Sequence, residues 1–197
     1  MAATASTMLP LGTPMPAFQL PDYGINGSRG GVTVTHDPAG APATVVMFIC
    51  NHCPFVHHIQ PELVRLAHDY AGRGVRFVAV SSNDIETHPD DAPHKMSEVA
   101  GNLGYPFPYL YDESQEVAKA FRAACTPDFY VFDKDNALAY RGQLDGSRPS
   151  NGQTVTGADL RAALDAVLDG TDPAEPHAPS MGCNIKWKRG NEPDYFG

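Results

Sequence analysis

Two cysteines three residues apart, Cys50-Asn-His-Cys53-Pro54, stand where an apolar run ends and a helical pattern begins. A cysteine at a helix N-terminus faces unpaired backbone N–H groups and the positive end of the helix dipole. Both favour thiolate over thiol and lower the pKa from its free value of about 8.5. The thiolate is the nucleophile, so this position alone makes Cys53 a reactive sulfur, and a protonated His52 beside it would add positive charge. Free cysteines are also common as small core hydrophobes, and Cys50, at the strand end, fits that reading as well as a redox one.

Two further cysteines lie far along the chain. Cys125 immediately precedes Thr126-Pro127, and Cys183 stands between Gly182 and Asn184. Cellular thiols keep structural disulfides open in a reducing compartment, so four cysteines there are buried thiols, metal ligands or redox groups. The first 16 residues lack both a basic region and a continuous apolar stretch, which points away from a secretory signal and towards a cytoplasmic location. The metal reading rests on Cys50, His52, Cys53, His57 and His58 lying within nine residues. Such donors suit copper or zinc, and metal binding or delivery is an alternative from another class. No second C-x-x-C is present to complete a tetrahedral zinc site.

The elements that must position these residues follow from periodicity. Thr44–Ile49 is short, apolar and β-branched, hence a buried strand. Val56, Ile59, Leu63, Leu66 and Ala67 fall at helical spacing behind Pro54, which suits a first helical turn. Val75–Val80 is the next buried strand, so strand–helix–strand forms a right-handed crossover with parallel pairing. A polar loop from Ser81 to Asp91 precedes a helix near Lys95–Leu103, and Phe107–Leu110 reads as a short strand. Ser114 is placed to cap a helix to about Ala123. Asp128–Phe132 and Leu138–Arg141 form a hairpin across Asp133–Asn136, and Thr156–Leu168 is a capped amphipathic helix. Residues 171–197 form a proline-rich tail whose Met181, Ile185 and Trp187 suit packing, with a solvated basic cluster at Lys186, Lys188 and Arg189. The whole, residues 1–197, reads as a single α/β domain: a central mixed sheet flanked by helices, with a C-terminal tail. The loop Ser81–Asp84 ends a parallel strand at the same sheet edge as Cys53 and is placed to line the site.

Strand–C-x-x-C–P–helix resembles the thioredoxin superfamily. Gly12–Asp22 resembles the opening segment of its peroxiredoxin-like (AhpC/TSA-type) redoxin branch, and Thr126-Pro127 resembles the cis-proline loop facing the active cysteine. Cys50–Val56, Tyr109–Ser114 and Ser180–Trp187 together are similar to an uncharacterised bacterial peroxiredoxin-like subgroup. The resemblance implies a thioredoxin-like fold and thiol–disulfide oxidoreductase activity. Cys53 is then the nucleophile, Cys50, Cys125 and Cys183 compete to resolve it, with Cys183 favoured, and Asn51, His52, Thr126 and Pro127 lie at the substrate. In true peroxiredoxins a proline and a threonine precede the peroxidatic cysteine by seven and three residues. Val46 and Cys50 stand there instead, which makes a thiol peroxidase acting on hydrogen peroxide or organic hydroperoxides the alternative. An arginine, Arg141 or Arg148, would stabilise the thiolate in that family.

Net charge is -9, from 14 basic and 23 acidic residues, a balance that repels phosphate backbones and anionic lipid surfaces. No apolar run approaches the ~20 residues of a bilayer span. The expected partners are a protein disulfide or peroxide and a thiol reductant such as a thioredoxin, and relatives of this kind often form homodimers. No organic cofactor is implied, because Gly30-Gly31 and Gly72-Arg-Gly74 read as turn glycines, not as a phosphate cradle.

Overall fold

The computed structural model describes residues 3–24, 32–35 and 40–196, with the backbone alone at 32–35. In chain order the elements are β1 (Thr4–Ala5), β2 (Gln19–Asp22), β3 (Val32–Thr35), β4 (Ala43–Phe48), α1 (Pro54–Ala71), β5 (Arg76–Ser81) and a 3-10 turn (Pro89–Asp91). They continue with α2 (Pro93–Leu103), β6 (Tyr109–Tyr111), α3 (Glu116–Ala120), β7 (Cys125–Thr126), β8 (Asp128–Asp133), β9 (Leu138–Gly142), α4 (Ala158–Leu168) and β10 (Met181–Asn184). Seven strands form a mixed sheet in the order β3-β2-β6-β5-β4-β8-β9, and a small sheet has the order β1-β10-β7.

β4 is an interior strand, and its unbroken apolar run follows from cover on both faces. Ala43, Val45, Met47 and Ile49 point into a core with α1, α2 and α4. Val46 and Phe48 point into a second core with α3, Ile185 and Trp187. The parallel pairing with β5 runs from Thr44 opposite Arg76 to Phe48 opposite Val80. The antiparallel pairing with β8 sets Phe48 opposite Asp128. That last register brings the elbow beyond β4 alongside the Thr126-Pro127 peptide, which is cis.

α1 buries Val56, Ile59, Leu63, Leu66, Ala67 and Tyr70 along one face. The buried Glu62 on that face accepts from Arg161 of α4 at 2.7 Å, so its charge is paired where it would otherwise be costly. Replacing the fully buried Leu63 by alanine is expected to cost about 2–5 kcal/mol, read from the denaturant midpoint at unchanged slope.

The structure differs from the sequence pattern at several elements. β1, β2, β3, β7 and β10 have no counterpart among the periodic segments. α3 ends at Ala120, because Phe121 is held fully buried against Phe48, ring centroids 5.5 Å apart, and Arg122 turns to φ 50. Its start is Gln115 at φ 65, with Ser114 Oγ accepting from the Glu116 N–H at 3.3 Å. α4 begins after Gly157 at φ 67, and the cap comes from Asp145, whose carboxylate accepts from the N–H groups of Thr156 and Gly157 at 2.7 and 2.6 Å. Gly74 takes φ 78 in the turn after α1, whereas Gly30-Gly31 lie outside the described residues.

The tail is ordered and its basic cluster is not a solvated appendage. Trp187 is buried, and the Lys186 carbonyl accepts from the Asp84 N–H at 2.8 Å while its own N–H donates to Asn83 Oδ1 at 2.8 Å. Among the described residues, no helix is long and apolar enough to cross a membrane.

Candidate active site

Cys53 is the N-cap residue of α1, with extended φ −79 and ψ 121, and its carbonyl accepts from the N–H groups of Val56 and His57. Its side chain is fully buried. As a thiol, Sγ donates to the Thr126 carbonyl at 3.2 Å. As a thiolate it has more to gain. Hydrogen bonds from the Cys50 and Cys183 thiols and from the backbone N–H groups of Val56 and Cys183 lower its pKa and together outweigh burial. The Cys50 hydrogen bond contributes most, and the pKa falls to about 4. The helix N-terminus therefore acts through one identifiable N–H, that of Val56, beside two sulfur donors.

The partners shift the other way. Cys50 is pushed well up, first by its hydrogen bond to Cys53, then by burial and the Asp91 charge. Burial and the Cys53 contact push Cys183 up to about 12, with Lys186 opposing them. One negative charge is thus shared among three sulfurs and resides on Cys53. Replacing Cys50 by alanine is expected to raise the Cys53 pKa more than replacing Cys183 does, as followed by thiolate ultraviolet absorbance against pH.

Cys50 lies within the site. Its Sγ is 3.3 Å from Thr126 Oγ1 and 3.9 Å from His52 Nδ1. Cys183 lies in the ordered tail. It is held in β10, opposite Thr126 in an antiparallel pair. Cys125, its neighbour in β7, turns away and donates to the Pro127 carbonyl at 3.7 Å. Burial, and after it the Asp128 charge, raises the Cys125 pKa well above the ordinary value.

Asp91 is the residue that sequence reading passed over. It is fully buried and fastens the elbow from the 3-10 turn. Oδ1 accepts from the backbone N–H groups of Asn51 at 2.7 Å and His52 at 3.2 Å. Oδ2 meets His52 Nδ1 at 2.6 Å and accepts from Asn83 Nδ2 at 2.8 Å. The Asp91 hydrogen bond raises the His52 pKa, and the His52 ring stacks on His88 with centroids 5.0 Å apart. The Ser81–Asp84 loop does line the site, through Asn83.

Asn51 uses its side chain internally: Nδ2 donates to the Asp90 carbonyl at 2.9 Å and Oδ1 accepts from Tyr109 at 3.0 Å. His57 is exposed, its Nε2 hydrogen-bonded with the Asn51 carbonyl. Of the two candidate arginines, Arg148 hydrogen-bonds Gln143 and the Asp145 and Ser147 carbonyls, and Arg141 bonds with His177. A small depression of about 20 Å³, with no cysteine in its wall, is lined by Phe55, Ile59, Pro127, Leu144, Arg148 and Met181, among others.

Cys50, His52 and Asp91 present ligand atoms within 4.8 Å of one another. The 2.6 Å between His52 Nδ1 and Asp91 Oδ2 is a hydrogen-bond length, shorter than the roughly 3.3 Å between two ligands of a tetrahedral zinc. The arrangement fits a proton shared by His52 and Asp91 better than a metal.

Comparison with known proteins bears on the fold and the family. An uncharacterized conserved protein from Geobacillus kaustophilus is 59% identical over 95% of this chain and 97% of its own, with a TM-score of 0.89. A hypothetical protein from Sinorhizobium meliloti 1021 is 48% identical over 95% and 100%, with a TM-score of 0.90. A thiol:disulfide interchange protein of the thioredoxin family from Chlorobium tepidum TLS shares the fold at 19% identity over 83% and 98%, with a TM-score of 0.59. No curated protein matches the sequence. The sequence model of the AhpC/TSA family matches residues 11–141, and with its thioredoxin-like fold the chain belongs to that redoxin family.

Proposed function

We propose that the protein is a thiol–disulfide oxidoreductase in which Cys53 attacks and Cys183 resolves. The observation that carries this reading is the buried Cys53 sulfur at the N-cap of α1, against the Thr126 carbonyl, where hydrogen bonds from the Cys50 and Cys183 thiols lower its pKa to about 4. The Cys53 thiolate attacks one sulfur of a substrate R–S–S–R′, forming Cys53–S–S–R and expelling R′–S⁻, which takes a proton. The Cys183 thiolate then attacks Cys53 Sγ, expels R–S⁻ and leaves a Cys53–Cys183 disulfide, its proton passing to the departing thiolate. A dithiol of the thioredoxin type returns two electrons and two protons.

Cys183 is favoured over Cys50 as the resolving group by the charges around them. Lys186 lowers the Cys183 pKa, whereas Asp91 raises that of Cys50. Once Cys53 is tied up in a mixed disulfide, Cys183 is the easier thiol to ionise. Cys183→Ser is therefore expected to trap the mixed disulfide with a small disulfide substrate, visible by mass, while Cys50→Ser still resolves it. Trapping by Cys50→Ser alone would reverse the assignment.

Membership of the AhpC/TSA family supports a second reading, reduction of peroxide at the same sulfur with a sulfenic acid intermediate. Against it, the position three residues before Cys53 is Cys50, and the hydroxyl nearest the pair, Thr126 Oγ1, is engaged with Cys50. A rate of Cys53 oxidation by hydrogen peroxide close to that of an ordinary thiolate is expected. A rate orders of magnitude higher would favour the peroxidase.

A further inference from the structure

The two residues between Cys50 and Cys53 are fastened by one fully buried carboxylate. Asp91 Oδ1 accepts from the N–H groups of Asn51 and His52, and Oδ2 meets His52 Nδ1 at 2.6 Å. A carboxylate oxygen of Asp91 thereby lies within 4.8 Å of Cys50 Sγ. Burial opposes its ionisation, yet the hydrogen bonds from His52 and Asn83 hold the carboxyl below its ordinary range, so the charge is present at every working pH. A thiolate on Cys50 would face that carboxylate inside the protein, where like charges repel far more than in water. The His52 ring offsets this only in part, being 3.9 Å from the Cys50 sulfur but 2.6 Å from the carboxylate. Thr126 Oγ1 at 3.3 Å is neutral, and so are the phenols of Tyr105 and Tyr109, the other groups within electrostatic range beside Cys53. Cys183 meets a different field. At Gly182 a Cβ would lie 1.9 Å from the Thr126 oxygen, and this close approach of β10 to β7 sets Cys183 opposite Thr126. The side-chain charge that favours its thiolate there is the Lys186 ammonium.

We infer that Asp91 assigns the roles of the sulfurs: its charge holds Cys50 as a thiol, a hydrogen-bond donor to Cys53, and leaves resolution to Cys183. This deepens the thiol-exchange reading and rests on it. Asp91 acts through Cys50 and is a positioning residue. In the mixed disulfide Cys53–S–S–R, one of the two neighbouring thiols loses its proton and bonds to Cys53 Sγ. The Cys53–S–R bond breaks, and R–S⁻ leaves and takes up that proton. At Cys50 the carboxylate opposes the ionised state, whereas at Cys183 the ammonium favours it. With residue 91 uncharged, Cys50 is the better placed of the two, being three positions from Cys53 and the largest contributor to its hydrogen bonding.

The test follows, by mass after acid quenching, the mixed disulfide that hydroxyethyl disulfide forms with the reduced full-length protein. Cys183→Ser is expected to trap it. Adding Asp91→Asn, which removes the charge and keeps an oxygen for the Asn51 and His52 N–H groups, is expected to release it at least about tenfold faster, as Cys50 takes over. Adding His52→Gln instead leaves the carboxylate charged, and the mixed disulfide should stay trapped. In Asp91→Asn alone, Cys183 rather than Cys50 should remain free to label after one turnover and denaturation. A mixed disulfide as long-lived in Cys183→Ser/Asp91→Asn as in Cys183→Ser would overturn the proposal. Equal release by His52→Gln would trace the effect to a loosened elbow and overturn it too. If Asp91→Asn does not fold, Cys53→Ser decides. With the Cys53 charge gone, alkylation of Cys50 should still climb about tenfold per pH unit to about pH 9.5, and levelling off from about 8.5, as an ordinary thiol does, would overturn the proposal. A Cys183→Ser protein that never accumulates the mixed disulfide would instead overturn Cys183 as the resolving group, the reading on which the proposal rests.

Discussion

Cys53→Ser is expected to lower the rate of disulfide reduction by a factor on the order of a thousand or more, with the fold retained. A serine hydroxyl fits the same space and donates to the same Thr126 carbonyl, but does not ionise at neutral pH. The hydrogens of Cys50, Cys183 and the Val56 N–H that stabilise a negative sulfur then face a neutral oxygen, and the attack has no nucleophile. Circular dichroism and the thermal midpoint should stay near those of the unaltered protein, separating loss of chemistry from loss of structure. Retention of most disulfide reductase activity in Cys53→Ser would remove Cys53 from the mechanism.

The largest effect on stability is expected at Asp91. Asp91→Ala strips four donors of their acceptor inside a dry elbow: the N–H groups of Asn51 and His52, the Asn83 amide and the His52 ring. Breaking such a buried pair by removing one partner costs about 3–5 kcal/mol, which for a chain of this size lowers the thermal midpoint by roughly 10 °C. The pH dependence has a definite sign. Burial works against ionisation of Asp91, yet the His52 and Asn83 hydrogen bonds hold its pKa below the ordinary value of 3.8. Its contribution is present above 3.8 and is lost as pH falls through the lowered pKa. The His52 pKa is raised above 6.5 by Asp91, so its contribution is full below 6.5 and is lost as pH rises through the raised value. The stability gap between the unaltered protein and Asp91→Ala is therefore expected to peak between about pH 4 and 6.5, measured by urea unfolding across pH. A gap independent of pH would contradict a charged pair at the elbow.

What the sequence revealed and what it hid divide along the range of the interactions. Cys53 was legible because its surroundings are local: the β4 run, Pro54 and the helical spacing of α1 lie within a few residues of it. The strand–helix–strand unit was legible for the same reason, each element being long enough to show its period. β7 and β10 span two and four residues, too short for a period to show. β2 carries Pro21, which argues against a strand. α3 carried a capping serine but is cut short by the burial of Phe121, a tertiary demand that propensity does not record.

At the site the same division holds. Cys183 stands 130 positions from Cys53, and nothing in the local pattern places the two together. Asp91 read as one more acid in a polar loop, because its function consists of donors arriving from residues 39 and 40 positions away. The one usable signal was its place after a parallel strand, on the sheet edge that carries Cys53. Gly182 gave no signal at all. A glycine before a cysteine is unremarkable until Thr126 is seen pressed against it.

The most direct measurement is the rate of alkylation of each cysteine against pH, read residue by residue by mass spectrometry on the reduced protein. With the Cys53 pKa at about 4, its rate should be flat from about pH 8 down to 5 and halve near 4, whatever its accessibility. Cys50, Cys125 and Cys183 should remain far slower throughout. A Cys53 rate that instead climbs tenfold per pH unit through neutrality, as a thiol titrating near 8.5 requires, would contradict a resident thiolate at the N-terminus of α1.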